Sequence, residues 1–399
     1  MVTETDPSSL EELTETLAEC GSTRKSVELG GHFSKRAMGG VIASCDVVLS
    51  TSRMNRVLIY EPNDLTISVE AGITYQQLSA VLAENRQWLP LDPPYGQQAT
   101  IGGIIAANSS GPRRRRYGTA RDLVIGMKMV TMEGKVVASG GMVVKNVTGL
   151  DMAKLLVGSF GTLAAIGSVN FRVFPRPVSE RTFLFSAGKL DSLLSIRKAI
   201  LESVLQPVAL DLLSPSAAEM LGLGQPYGYL LMAEATGSEV VIDRFAKAFE
   251  KLALENKVAA FQSASGSQAD DLWTPVRDFP AEVARRNAEG LMLRVGCEPK
   301  KLGEVFRLVR DTAGETPTLA RAANGVSYIA CSILDEAVCC LKACREAGLA
   351  AVVESAPEHQ KMSIKLWDGS GTQFQVMERV KSQFDPWHLL NPGRLFNLI

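Results

Sequence analysis

The sequence predicts an α+β protein of two domains closed by a returning tail. Three observations predict it. At 399 residues the chain exceeds what one hydrophobic core ordinarily serves. The first two-fifths place glycine clusters at the ends of short strands. From Ser179 the pattern changes to longer helices alternating with strands, as expected of helices laid on one side of a sheet. Pro175 and Pro177 mark the change, so the expected domains are 1–178 and 179–349, with 350–399 as a C-terminal segment closing on the first.

The elements follow in order. Ser8-Ser9-Leu10-Glu11 opens an amphipathic helix with Leu10, Leu13 and Leu17 on one face. Short strands are expected at Val27–Leu29, Val47–Leu49 and Val57–Tyr60. Leu65–Glu70 alternates apolar and polar, the pattern of a half-buried strand. Thr74-x-x-Gln77 opens a second helix. Pro90 to Pro94 reads as a rigid extended segment. Glu133-Gly134 joins two strands into a hairpin. A short helix is expected at Asp151–Val157 and a long strand at Leu163–Phe174. Beyond the prolines, helices at 190–205, 240–256, 301–312 and 334–347 alternate with strands at 209–213, 228–234, 290–295 and 325–331. The tail holds one strand and one helix at 373–384, and no internal repeat is visible.

Composition narrows the function classes. Hydrophobic residues make up 46% and charged residues 21%, and the formal net charge is −1, so nothing draws the chain as a whole to nucleic acid or an anionic bilayer. No apolar run has the length of a membrane span. Met1 to Glu19 is acidic and lacks the basic and apolar parts of a secretory leader. The seven cysteines follow no disulfide spacing, which suits reduced thiols. The expected location is the cytoplasm, with a peripheral position on the inner face of the membrane open to it through partners.

Glycine is needed where backbone takes φ > 0 or approaches a ligand closely. Consecutive amides at such turns form nests that suit phosphate. Gly30-Gly31, Gly102-Gly103, Gly111, Gly118, and Gly158 with Gly161 are such clusters, although each alone also reads as a turn or a helix cap. No G-x-G-x-x-G follows a strand to open a helix, and no G-x-x-x-x-G-K-[ST] occurs. Both common nucleotide motifs therefore drop out.

In order along the chain stand Val27-Glu28-Leu29-Gly30-Gly31-His32-Phe33-Ser34-Lys35, Ala99-Thr100-Ile101-Gly102-Gly103-Ile104-Ile105-Ala106-Ala107-Asn108 and Tyr117-Gly118-Thr119-x-x-Asp122. Lys145-Asn146-Val147-Thr148-Gly149-Leu150-Asp151 then leads to Gly158-Ser159-Phe160-Gly161-Thr162-Leu163, and Leu390-Asn391-Pro392-Gly393-Arg394 lies near the end. This series resembles the vanillyl-alcohol-oxidase, or PCMH-type, family of FAD-linked oxidoreductases. The resemblance implies a two-subdomain PCMH-type FAD-binding domain, an α+β cap (substrate) domain and a tail returning to the flavin. It implies FAD as cofactor, held by Gly30, Gly31, His32, Phe33, Ser34, Pro94, Thr100, Ile101, Gly102, Gly103, Asn108, Tyr117, Gly118, Gly161, Ile166 and Asn391. In some relatives the position of His32 links covalently to flavin; a loop histidine near phosphate is the plainer reading.

Within the family, Gly111-Pro112-Arg113-Arg114, Phe160 and Asp92-Pro93-Pro94 are similar to the E-subunit branch of bacterial glycolate oxidases. That implies the FAD-binding subunit of a complex oxidising glycolate or another small 2-hydroxy acid. The partners would be a second flavin subunit and an iron–sulfur subunit that receives the electrons, with no nucleic acid involved. Two other readings stand beside it: a stand-alone FAD-linked oxidase or dehydrogenase of small hydroxy acids or alcohols, and a non-catalytic scaffold of the same fold.

One departure matters. Relatives that oxidise 2-hydroxy acids carry a His-rich metal stretch near the C-terminus, whereas this chain has only His32, His359 and His388. No metal site is expected, and oxidation on a partner subunit is the preferred reading. The catalytic residues stay unassigned. Arg277, Arg294 and Arg321 suit a carboxylate, and Glu354 and His359 suit a base for the O–H proton, yet residues of each kind are more often salt-bridge or surface residues. In the run Arg113–Arg116, one arginine is expected to approach flavin or an acidic partner and the others to face water. Cys331, Cys339, Cys340 and Cys344 lack iron–sulfur spacing and read as buried thiols on a helix.

Overall fold

A computed structural model of the chain describes residues 2–42, 45–142, 151–223, 228–367 and 372–396. The chain divides into two compact units, one of residues 1–111, 117–176 and 369–399, the other of 112–116 and 177–368. The stretch Lys145 to Leu150, part of the expected flavin signature, lies outside the described residues.

The first unit begins with the strand Thr3–Thr5 and the helix Leu10–Thr23. Ser9 caps that helix, its Oγ accepting from Glu12 N at 3.2 Å, while the Glu12 carboxylate accepts from Ser8 N at 2.7 Å. Leu13 and Leu17 are fully buried. Thr3–Thr5, Val47–Ser50 and Val27–Gly30 form a parallel sheet in that order. A second, antiparallel sheet runs Val57–Glu61, Thr66–Glu70, Ala165–Arg172, Val124–Val130, Val136–Gly140.

Thr66–Glu70 departs from the half-buried expectation, since every residue in it is buried. It lies between two neighbouring strands, and its polar groups are answered locally: the Glu70 carboxylate accepts from Arg56 Nη2 at 2.8 Å. The helix Tyr75–Glu84 opens on both halves of the Thr74/Gln77 capping box, with Leu78 and Leu82 inward. Pro90 to Pro94 is not extended. It turns, with Asp92 at φ 45°, because Leu91 O accepts from Gly111 N at 2.8 Å and draws the segment against the start of the next loop.

The second unit is one eight-stranded antiparallel sheet. Its spatial order is Ala260–Ala264, Ser179–Ala187, Tyr229–Gly237, Ala209–Leu213, Thr318–Arg321, Val326–Cys331, Leu291–Gly296, Ala350–Ser355. The order contains a repeat that the sequence does not display. Residues 179–264 run strand, helix, strand, strand, helix, strand, and residues 291–355 do the same, apart from the extra helix Pro215–Met220 and one short 3₁₀ turn. The two halves meet where Ala209–Leu213 pairs with Thr318–Arg321.

Helices were expected on one side only, but both faces are covered. The four long helices, Leu190–Glu202, Glu239–Glu255, Leu302–Ala313 and Leu334–Glu346, pack over one face with Leu210, Leu212, Leu293 and Ile329. The helices Pro215–Met220, Ser267–Arg277 and Phe279–Arg286 cover part of the other with Ala209, Leu213, Met232 and Met292. Alternation along each strand places neighbouring residues on opposite faces, so both faces need an apolar cover. The expected boundary at 349 also moves. Ala350–Ser355 pairs with Leu291–Gly296 as the last strand of this sheet, and 350–367 therefore belong to the second unit.

Candidate flavin site

The site grows out of the parallel sheet of the first unit. Where Val27–Gly30 ends, the chain turns through Gly31 to Ser34, with Phe33 at φ 53°. Thr51 N donates to Gly30 O at 2.9 Å, and Ser50 Oγ donates to Gly31 O at 2.9 Å. The carbonyls of the turn are thus tied back to the neighbouring strand. The amides of Gly31, His32, Phe33 and Ser34 donate to no acceptor among the described residues. These orphan N–H groups line a cleft, the arrangement that binds an anion.

The cleft has two adjoining parts. Both are walled by Gly30, Gly31, Gly103, Ala106 and Phe160. The larger adds His32, Phe33, Ser34, Lys35, Arg36, Thr100, Asn391 and Arg394; the smaller adds Thr51, Gly102, Gly161 and Ile166. Thr100 caps the helix Ile101–Ala106 and abuts Gly31 so closely that a Cβ there would overlap its hydroxyl. Gly161 has φ 70°, and a Cβ on it would sit 2.7 Å from Asn391 Nδ2. Glycine at these two positions therefore lets the loops that wall the cleft approach this closely.

Charge on the wall is basic and braced. Arg36 grips Glu28 through two bonds of 2.7 Å each. Arg394 donates to Lys35 O at 2.8 Å and to Arg36 O at 2.9 Å, holding the turn from behind. Burial pushes its pKa down to about 10, partly offset by Glu28. His32 Nδ1 lies 2.9 Å from Gln98 O, which fixes the ring at the rim.

The tail supplies the brace between loops. Asn391 Oδ1 accepts from Leu29 N at 2.7 Å, and its Nδ2 donates to Leu29 O at 3.2 Å and Phe160 O at 2.9 Å. Asn391 thus lines the cleft, but its amide is spent on joining the Gly30 turn to the Phe160-Gly161 turn.

Of the residues expected at the cofactor, Gly30, Gly31, His32, Phe33, Ser34, Thr100, Gly102, Gly103, Gly161, Ile166 and Asn391 come together here. Pro94, Ile101, Asn108, Tyr117 and Gly118 do not line the cleft. Ile101 is fully buried in the core, and Tyr117 packs edge-on to Trp88 and Phe174, at 5.6 and 5.0 Å between ring centroids.

The catalytic candidates lie in the second unit. A polar row crosses one face of its sheet through Glu234, Asp211, Arg321, Tyr328, Arg294 and Glu354. Arg321 is locked to Asp211, both almost without exposure, so it is structural. Arg294 meets Glu354 at 2.8 Å and keeps 45% of its side chain exposed. The Glu354 carboxylate holds its pKa above the ordinary arginine value. Burial raises the Tyr328 phenol, and Glu354 adds to it. His359 stands apart, largely exposed, 3.0 Å from Glu289. Arg277 bonds Thr274 at 2.9 Å on the same helix.

The arginine run differs from expectation. Arg113 is buried and pairs with Glu234 at 2.6 Å, with Glu180 at 3.5 Å, so its acid is internal to this chain. Arg115 donates to Pro207 O and Gln206 Oε1 at 2.9 and 2.6 Å. Cys340 and Cys344 are buried on one helix and Cys331 on a strand against them, while Cys339 is exposed.

A cradle of unpaired amides backed by arginines, with a flat apolar extension at Ala164 and Ile166, suits a dinucleotide with a planar ring. The class this defines is an FAD-dependent oxidoreductase. Residues 5–140 match the FAD binding domain family. The chain is 33% identical to glycolate oxidase subunit GlcE of Escherichia coli (strain K12), over 96% of each chain. It is 27% identical to D-lactate dehydrogenase of Archaeoglobus fulgidus, over 98% of this chain and 90% of that one. Among solved structures, p-cresol methylhydroxylase aligns with a TM-score of 0.77 at 15% identity, covering 98% of this chain and 88% of that chain. The chain belongs to the PCMH-type FAD-linked oxidoreductases, and its cofactor is FAD.

Three contributors escaped the sequence reading. Ser50 and Thr51 orient the turn, and Lys381, fully buried in the tail helix, joins three chain segments. The only sequence signal was Lys381 with Asp385 four residues on, ordinary for an exposed helix.

Proposed function

We propose that this chain is the FAD-carrying subunit of a complex that oxidises glycolate or a similar small 2-hydroxy acid. The observation that carries the reading is the 33% identity to a glycolate oxidase subunit over nearly the full length of both chains. The partners are a second flavin subunit and an iron–sulfur subunit. Bound FAD supplies the two-electron acceptor. The chain's own residues do the rest. The amides of Gly31 to Ser34, with Lys35 and Arg394 behind them, hold the diphosphate. Gly102, Gly161 and Ile166 bound the space for the ring. In the second unit the candidate side chains are taken up in ion pairs, Arg321 with Asp211 and Arg294 with Glu354, in keeping with oxidation of the substrate on the partner subunit.

The test is purification of the chain alone and together with its partners, with glycolate- and D-lactate-dependent reduction of an artificial acceptor, flavin and iron all measured. The reading predicts flavin but little turnover for the chain alone, and turnover with iron in the complex. Full turnover by the chain alone would replace it with the stand-alone dehydrogenase.

A further inference from the structure

The residue least expected in the first unit is Lys381. It lies on the helix Thr372–Phe384, whose side chains are otherwise mostly exposed, yet its own exposure is 0%. Its Nζ donates to Thr162 O at 2.7 Å, to Asp385 Oδ2 at 2.7 Å and to Leu390 O at 2.9 Å. An ammonium has three protons, and all three are used. Asp385 Oδ2 also accepts from Leu390 N at 2.7 Å.

Two of the three bonds reach residues adjoining the wall of the cofactor cleft, and the third holds Asp385. Thr162 directly follows Phe160-Gly161, which walls both parts of the cleft. Leu390 directly precedes Asn391, which ties that turn to Leu29. Beside them, Val27 N donates to Leu389 O and Asn391 N donates to Val27 O, both at 2.8 Å, so the tail runs along the strand that feeds the Gly30 turn. The node at Lys381 therefore fixes the tail, and the tail fixes the separation of the two glycine turns.

A buried lysine pair is a costly way to fill core, since apolar residues of similar volume commonly do as well or better. What an apolar side chain cannot do is donate to two carbonyls on separate segments. We propose that Lys381 is a positioning residue for FAD: through Thr162 and Leu390 it sets the spacing of the Gly30 and Gly161 turns, and so the retention of the cofactor. The inference rests on the cleft being the FAD site and adds which remote group makes it competent.

The test uses full-length apoprotein titrated with FAD, following flavin fluorescence and the visible circular dichroism of the bound flavin. Apoprotein melting is measured in parallel. Lys381→Met alone leaves Asp385 buried without its partner and endangers the fold, so the decisive variant is Lys381→Met with Asp385→Asn. That pair removes both charges and keeps an acceptor for Leu390 N. The expected result is a dissociation constant raised about tenfold or more, roughly 1.4 kcal/mol, with altered flavin dichroism and an apoprotein melting point close to wild type. An unchanged dissociation constant would overturn the proposal. So would an affinity loss that merely tracks a fall in melting temperature, because Lys381 would then serve only to hold the unit together. Wild-type protein that takes up no FAD would instead fault the site assignment itself.

Discussion

In the first unit the working surface is main chain: amides of the Gly31 to Ser34 turn, glycines that no side chain could replace, and braces that approach from behind. In the second unit the polar surface is side chain: Glu234, Asp211, Arg321, Tyr328, Arg294 and Glu354 in a row across one sheet, with Arg113 laid against Glu234. Both regions bury charge, but to different ends. Arg394 and Lys381 spend most of their bonds on carbonyls of loops that wall the cleft. Arg321 and Arg113 spend theirs mainly on carboxylates of the sheet. The contrast teaches that the cleft is shaped by where backbone is held, whereas the row holds a sheet together and leaves one arginine, Arg294, at its open end.

The contrast breaks first, and most heavily, at Asp211. Asp211→Ala leaves the Arg321 guanidinium buried without its carboxylate, at a cost of about 3–5 kcal/mol. Denaturant unfolding should show that loss while FAD affinity of the folded fraction stays as in wild type. Asn391→Ala removes three bonds that join the two flavin turns, and costs about 1–3 kcal/mol. Here the loss should appear mainly as weaker FAD binding. Gly161→Ala adds a Cβ at φ 70°, against Asn391, and should cost about 1–2 kcal/mol with the same bias toward cofactor affinity. The smallest effect is expected at His359, exposed and far along the second unit's chain. His359→Ala should leave FAD affinity and melting temperature as in wild type, and a loss of flavin there would erase the distinction between the regions.

Much of the first unit was legible because its signals are local. The Thr74/Gln77 pair caps its helix where the spacing said it would, Ser9 caps the first helix one residue beyond the Ser8-to-Glu11 spacing, and the glycine turns stand at strand ends. The second unit hid more. The strand Ser179–Ala187 opens on polar residues and then buries six in a row, a pattern with no period of two. Thr318–Arg321 carries an arginine that makes sense only beside Asp211, 110 residues away in sequence. The repeated half-sheet is a repeat of element order, not of residues. Lys381 failed for the same reason: four residues from an aspartate it looks like surface, and only the fold brings Thr162 O to it.

The most direct test of the central claim is an FAD titration of the purified apoprotein beside a variant in which Gly31 is replaced by valine. The account predicts that the wild type takes up a single FAD per chain and turns yellow, while Gly31→Val, with its new side chain driven into Thr100, stays colourless yet folded. A wild type that remains colourless in excess FAD, or a Gly31→Val protein that binds as tightly as wild type, would contradict it.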